Sequence, residues 1–218
     1  ALFQEARQRG YPLAVVGVPK TIDNDVAFVS RTFGYVTAVE EAVKAINCAH
    51  TEAHSVHNGI SVVKIMGRDA GFIAAGATIA SQDVNFTLVP EVPFDFQKDI
   101  IDRMYFTQKT GKKHFIIVVA EGVGGVDKLA KDIEAKTGIE TRATVLGHVQ
   151  RGGSPTLRDR VVGSEMGYHA AELLFQGKGN RVIVMHNGKI MDLDITEALN
   201  TERTFDKNLY DIAYRISI

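Results

Sequence analysis

Apolar runs at residues 13–18, 60–65, 86–89, 115–120, 140–146, 181–185 and 189–193 alternate with amphipathic stretches at 36–57, 72–81, 96–110, 128–137 and 159–176. The short runs predict strands and the longer periodic stretches predict helices. The first runs are continuously apolar rather than alternating. A strand needs that pattern only when both of its faces are covered, as in a parallel sheet between helices. Right-handed crossovers then narrow the topology to a doubly wound α/β sheet. Residues 1–9 are also helical in pattern, with no initiator Met and no cap before them. They are expected to continue a longer protein.

Composition adds bounds. With 45% hydrophobic and 23% charged residues, the chain reads as globular. Its 218 residues suffice for one large domain or two small ones, with a real core. A net charge of -1 gives no support for a nucleic-acid or membrane surface. No apolar run is long enough to span a membrane and no signal-peptide pattern stands out, so a cytoplasmic location is the default expectation. The single cysteine, Cys48, cannot form an intrachain disulfide and is expected to be a small packed helix residue.

Chemistry concentrates where the strands end. Pro19-Lys20-Thr21-Ile22-Asp23-Asn24-Asp25 follows the first apolar run and holds two carboxylates, a hydroxyl and an ammonium. Open α/β sheets bind ligands at the carboxyl ends of their strands. Carboxylates that take a proton or hold Mg²⁺, beside a cation that draws phosphate, are the parts of phosphoryl transfer. An Asp- and Asn-rich turn built for backbone reasons is the competing reading. Three further clusters end later runs: Met66-Gly67-Arg68, ahead of a helix near Gly71; Glu121; and Arg142 with residues 147–155, GHVQRGGSP. Arg68, Arg142, His148 and Arg151 are cationic donors suited to phosphate oxygens. Gly152 and Gly153, ahead of Pro155, can turn backbone N–H groups to an anion. Glu121 can accept hydrogen bonds from sugar hydroxyls.

Plainer readings stand beside these. Arg68 can pair with Asp69 or Glu91, His148 can be a core histidine, and Arg142 can be a solvent-facing strand residue. His50, His54 and His57 share one helical face. With no Cys or carboxylate set to complete a metal geometry, the pattern favours a solvated or interface face.

Four segments together carry a resemblance. Residues 17–25 (GVPKTIDND), Met66-Gly67-Arg68, Pro90-Glu91-Val92 and residues 146–155 (LGHVQRGGSP), in this order and followed by Asp159-Arg160, closely resemble the 6-phosphofructokinases. The resemblance runs from about Tyr11 to about Gly188. It implies phosphoryl transfer from ATP to the 1-hydroxyl of fructose 6-phosphate, giving fructose 1,6-bisphosphate in glycolysis, with Mg²⁺. By resemblance Asp23 is the general base and Thr21 and Asp23 touch the sugar. Asp25 tunes the Mg²⁺ and donor side. Met66, Gly67 and Arg68 hold substrate, with Arg68 offsetting charge on the moving phosphoryl group. Glu121 accepts from sugar hydroxyls, and Arg142, His148 and Arg151 bind the 6-phosphate and sugar. In the family the arginine at the position of Arg142 reaches across from a neighbouring subunit, so a homotetramer or homodimer with shared sites is implied.

The resemblance also implies two lobes, each a mainly parallel sheet flanked by helices, with the sugar site in the cleft. Residues 1–34 and 155–199 form part of a larger donor-side lobe. Residues 35–154 and 200–218 form a smaller sugar-phosphate lobe, with a C-terminal helix at 206–216 folding back onto it. Three departures bear on function. The family's Gly-rich donor loop, with its Mg²⁺-binding Gly-Gly-Asp, is expected upstream of Ala1, so the chain by itself is expected to be inactive. Lys20 occupies a donor-specificity position where lysine occurs in pyrophosphate-using and in some ATP-using members. Gly59 stands where a neighbour's phosphate-binding arginine is common. A pyrophosphate-dependent enzyme and a non-catalytic sugar-phosphate-binding or regulatory chain are the alternatives.

Overall fold

The computed structural model describes residues 1–55 and 59–217. The chain divides into two units. The first comprises residues 1–36 and 155–204, the second residues 37–154 and 205–218.

In the first unit, α1 (Leu2–Gln8) precedes a short strand, β1 (Val16–Gly17). The long helix α6 (Leu157–Phe175) leads to β6 (Arg181–His186), the hairpin strand β7 (Lys189–Asp194) and α7 (Ile195–Leu199). The sheet order is β1-β6-β7, with β1 parallel to β6 and β6 antiparallel to β7. Only Val16 and Gly17 pair with β6, so the strand expected over 13–18 is shorter than its apolar run. Residues 13–18 are half-buried, and apolar character reports that partial burial without requiring a ladder. Thr156 starts α6, its Oγ1 accepting the Asp159 N–H. The core joins Val29, Val162, Met166, Leu173 and Ile183 to Met185.

The second unit holds a four-stranded parallel sheet in the order β3-β4-β2-β5: β2 (Ile60–Ile65), β3 (Phe86–Leu88), β4 (Phe115–Ala120) and β5 (Thr141–Val145). Every residue of β4 is buried, which explains its unbroken apolar run. Helix α3 (Phe72–Ser81) packs on β3 and β4, and α5 (Val126–Thr137) on β2 and β5. The helix expected over 96–110 is two segments, a wide π-helical turn at Phe96–Asp102 and then α4 (Arg103–Lys109). Adjacent Ile100 and Ile101 are both fully buried. The wider turn brings both to the core face, which sequence periodicity at 3.6 residues does not anticipate.

Helix α2 (Tyr35–Ser55) buries Ala38, Ala42, Ile46 and Ala53. Cys48 is exposed, correcting its expected packing, because it lies about 200° around the helix from Ile46. The expected solvated histidine face is also corrected: His54 is exposed, but His50 is half-buried against His114. His57 and the expected end of this helix lie outside the described residues. No described helix is long and apolar enough to cross a membrane.

The C-terminal helix α8 (Lys207–Ile216) returns to the second unit and packs on α3 and β3. Tyr210, 8% exposed, donates from its hydroxyl to the Thr87 carbonyl of β3 at 3.1 Å. Arg103 fastens the far end, donating to the Tyr214 and Ser217 carbonyls and lying over the Tyr214 ring. Burial pushes the Tyr210 phenol up to about 12 from 10.0. The unfolded phenol therefore ionises first, and native stability falls as pH rises from about 10 through about 12. Tyr210→Phe is expected to lower the urea unfolding free energy at pH 7 by about 1–2 kcal/mol. It is also expected to flatten the loss of stability between pH 10 and 12; an equal alkaline loss in both proteins would refute this role.

Candidate active site

The two units carry separate sets of candidate residues. In the first, the loop after β1 is held by short polar contacts. Asn24 adopts a left-handed backbone at φ 56 and accepts the Thr32 N–H on its side-chain oxygen at 2.9 Å. Thr32 donates from its hydroxyl to the Thr21 carbonyl at 2.7 Å. Thr21 in turn accepts the Asp23 N–H at 3.1 Å and donates to an Asp23 carboxylate oxygen at 3.4 Å. Lys20 forms an isolated parallel bridge with Phe33. These contacts bury Asp23, which is 6% exposed, while Lys20 and Asp25 face outward. Thr32 is the residue that sequence reading missed. Its only signal was the Asn at a tight turn, a type that tolerates left-handed backbone and seeks a side-chain partner.

In the second unit, four sequence segments fall along one edge. Leu88 leads to Pro90 and Glu91, Ala120 to Glu121, Ile65 to Met66-Gly67-Arg68, and Val145 to the 3-10 turn Gly147–Arg151. These are the carboxyl ends of four adjacent parallel strands, where α/β sheets bind their ligands. Direct contacts tie the segments together. The Arg68 N–H donates to a Glu121 carboxylate oxygen at 3.2 Å. A Cβ at Gly122 would stand 2.6 Å from the Arg68 carbonyl, so only glycine permits this approach. Glu91 accepts the Gly71 N–H at 2.9 Å, at the start of α3.

Gln150 is the centre of this edge, and sequence reading assigned it no role. It is 1% exposed, accepts the Met66 N–H at 2.9 Å and donates to the Ala38 carbonyl at 3.1 Å. Its neighbours His148 and Arg151 are exposed. A buried polar residue inside an exposed, cationic turn gives no periodic signal.

Two expectations change. Gly153 backs onto the Glu41 carboxylate, which a Cβ there would strike, so close packing explains the glycine and an anion cradle does not. Arg142 is not with the rest. It pairs in register with Ser61, five residues before Met66, which sets it about 16 Å from the carboxyl edge. It is half-exposed and ion-paired with Glu140 at 2.8 Å and with Glu52. The hydrogen bond it donates to Glu140, then the charges of Glu140 and Glu52, raise its pKa further.

This geometry can be set beside known proteins. The family model for phosphofructokinase matches residues 1–174. The chain belongs to the phosphofructokinase family. A relative, the ATP-dependent 6-phosphofructokinase 1 of Clostridium perfringens, is 48% identical over 202 residues, covering 93% of the chain and 62% of the relative. The chain therefore spans less than two thirds of that relative's length. A phosphofructokinase structure from Saccharomyces cerevisiae matches 98% of the chain and 28% of its own, with TM-score 0.79 and 27% identity. A pyrophosphate-dependent phosphofructokinase from Marinobacter aquaeolei has TM-score 0.82 at 24% identity, over 94% of the chain and 57% of its own, which shows the shared fold alone.

Gln150→Leu leaves the Met66 N–H and the Ala38 carbonyl without their partner. It is expected to lower the unfolding free energy by about 2 kcal/mol or more, measured by urea denaturation. Wild-type stability in this variant would show that Gln150 does not hold the edge.

Proposed function

We propose that this chain is part of a 6-phosphofructokinase that transfers a phosphoryl group from ATP to the 1-hydroxyl of fructose 6-phosphate, yielding fructose 1,6-bisphosphate in glycolysis. One observation carries the reading: the cationic and carboxylate segments of the second unit converge on the carboxyl ends of adjacent parallel strands. The name of the Clostridium relative supports ATP as donor. Lys20 keeps pyrophosphate as the other donor to test. We read residues 155–199 and 1–34 as donor-side and 35–154 with 200–218 as sugar-phosphate side, in a cytoplasmic enzyme.

Asp23 takes the proton from the sugar hydroxyl. Its burial and the Thr21 contacts fix the carboxylate, and proton transfer rewards fixed geometry. Thr21 and Met66 line the sugar. Arg68 offsets charge on the moving phosphoryl group, with its backbone anchored on Glu121. Glu121 keeps acceptor capacity for a sugar hydroxyl, and His148 and Arg151 give exposed donors to the 6-phosphate. Asp25 is an exposed carboxylate, a hard oxygen donor that fits Mg²⁺ when donor phosphates complete the shell. Bound Mg²⁺ would neutralise charge on the donor phosphates.

Arg142 serves a neighbouring copy. It lies at the amino end of β5, the edge strand, away from the segments it would serve. Residues 142–145 are all exposed, and Val145 and Val149 expose 55% and 66% of their surface, as a subunit contact requires. A homodimer or homotetramer with shared sites follows.

In an enzyme carrying this chain together with its donor loops, Asp23→Asn is expected to reduce turnover by orders of magnitude with little change in sugar affinity. Coupled assays with ATP and with pyrophosphate check this and separate the two donors. Unchanged turnover with either donor would end the assignment of Asp23. Mixed oligomers of Asp23→Asn and Arg142→Ser subunits are expected to regain activity neither variant has alone. Complementation absent from proven mixed oligomers would refute sharing.

A further inference from the structure

Three segments remote from the carboxyl edge meet at the opposite end of the second unit's sheet. His50 lies near the end of α2, Asp83 in the turn between α3 and β3, and His114 just before β4. One ligand atom from each lies within 4.8 Å of the other two. The His50 and His114 rings stand edge to face with centroids 4.3 Å apart. His54, one turn along α2, has its ring centroid 6.2 Å from each of them.

We infer that His50, Asp83 and His114 form a binding site for a transition-metal dication of the Zn²⁺ class. The donor set selects the metal. Two imidazoles and a carboxylate suit Zn²⁺, Co²⁺ or Ni²⁺, whereas Mg²⁺ and Ca²⁺ prefer oxygen alone. Tetrahedral Zn²⁺ with bonds of about 2.0–2.1 Å sets its ligand atoms about 3.4 Å apart, so the three side chains need close by no more than about 1.4 Å. His54, exposed and on the same face of α2, stands nearby. Two imidazoles four residues apart on one helix face are themselves a chelating pair.

A second observation is independent of this spacing. Both ring nitrogens of His114 are buried with no hydrogen-bond partner among the described residues. Buried polar atoms are nearly always satisfied, and a metal is one way to satisfy a lone pair. The scaffold is also fixed in advance. Asn85 accepts the Ile116 N–H on its side chain and donates its own N–H to the Ile116 carbonyl, both at 2.8 Å. That clasp locks the segment bearing Asp83 to the one bearing His114. A bound ion would add α2 to it as a third element, away from the edge that holds Met66 and Glu121.

The test uses the untagged 218-residue chain, stripped with chelator and titrated with Co²⁺ alone. We expect one equivalent per chain, with the visible d–d absorption of low-coordinate cobalt, displaced by Zn²⁺. His50→Gln, His114→Gln and Asp83→Asn are each expected to weaken binding beyond the about 10–100-fold that loss of a supporting partner costs. His169→Gln, in the first unit, is expected to bind as wild type. Far-UV circular dichroism checks folding, and Asp83→Asn, in a turn, keeps the test valid if His114→Gln misfolds. Absence of a stoichiometric Co²⁺ complex, or binding that survives in folded Asp83→Asn and His50→Gln, overturns the site.

Discussion

The in-register parallel pairing of β2 with β4 is the constraint on which the second unit depends. Six residues of each strand pair, from Ile60 with Phe115 to Ile65 with Ala120. Because the strands end level, Met66 and Glu121 emerge side by side, and the Arg68 N–H reaches the Glu121 carboxylate. A slip of one residue would turn every side chain to the other face. Both faces of β4 are buried, so what disfavours such a slip is the fit of each side chain to its own closely packed surroundings. Register fixed by packing thus becomes the alignment of the candidate site.

This part of the protein was legible in the sequence for the same reason. β4 is buried on both faces and reads as an unbroken apolar run, β2 is interrupted only by Ser61 and Lys64, and the ends of both match the runs. The polar segments after them are short and close to the strand ends, leaving little freedom in where they emerge. Legibility fails where a residue's meaning depends on a partner far along the chain. Gln150 looks like one more polar loop residue until Met66 is brought to it. His50 looks like part of a solvated face until Asp83 and His114 arrive from two other connections. β1 reads as a full strand because apolarity reports partial burial and is silent about hydrogen-bonded neighbours. The wide turn at Phe96–Asp102 escapes because two adjacent buried isoleucines fit no 3.6-residue stripe.

Arg142 shows how position within a strand decides what a residue can serve. Its type, an arginine on a strand near a glycine-rich turn, suggested grouping with His148 and Arg151. The register separates them along β5, and its own carboxylate neighbours, Glu140 and Glu52, hold the guanidinium at the amino end of the sheet. Strand register thus decides which segments a residue can stand beside, whatever its type suggests.

The order of the chain has a kinetic consequence. The first unit is made of residues 1–36 and 155–204, and the second is enclosed between them except for α8. On the ribosome, β1 meets β6, its partner among the described strands, only after the whole of residues 37–154 has been made. The four-stranded sheet can assemble first, yet β3 lacks its Tyr210 contact until α8 is made. Closing so long a loop costs entropy before any contact rewards it, so the first unit is the slow one to form. During that interval Val16 and Val29 lack the partners that α6 and β6 supply. The burial of β4 thus helps set when each surface becomes safe from aggregation, as well as where the candidate residues lie.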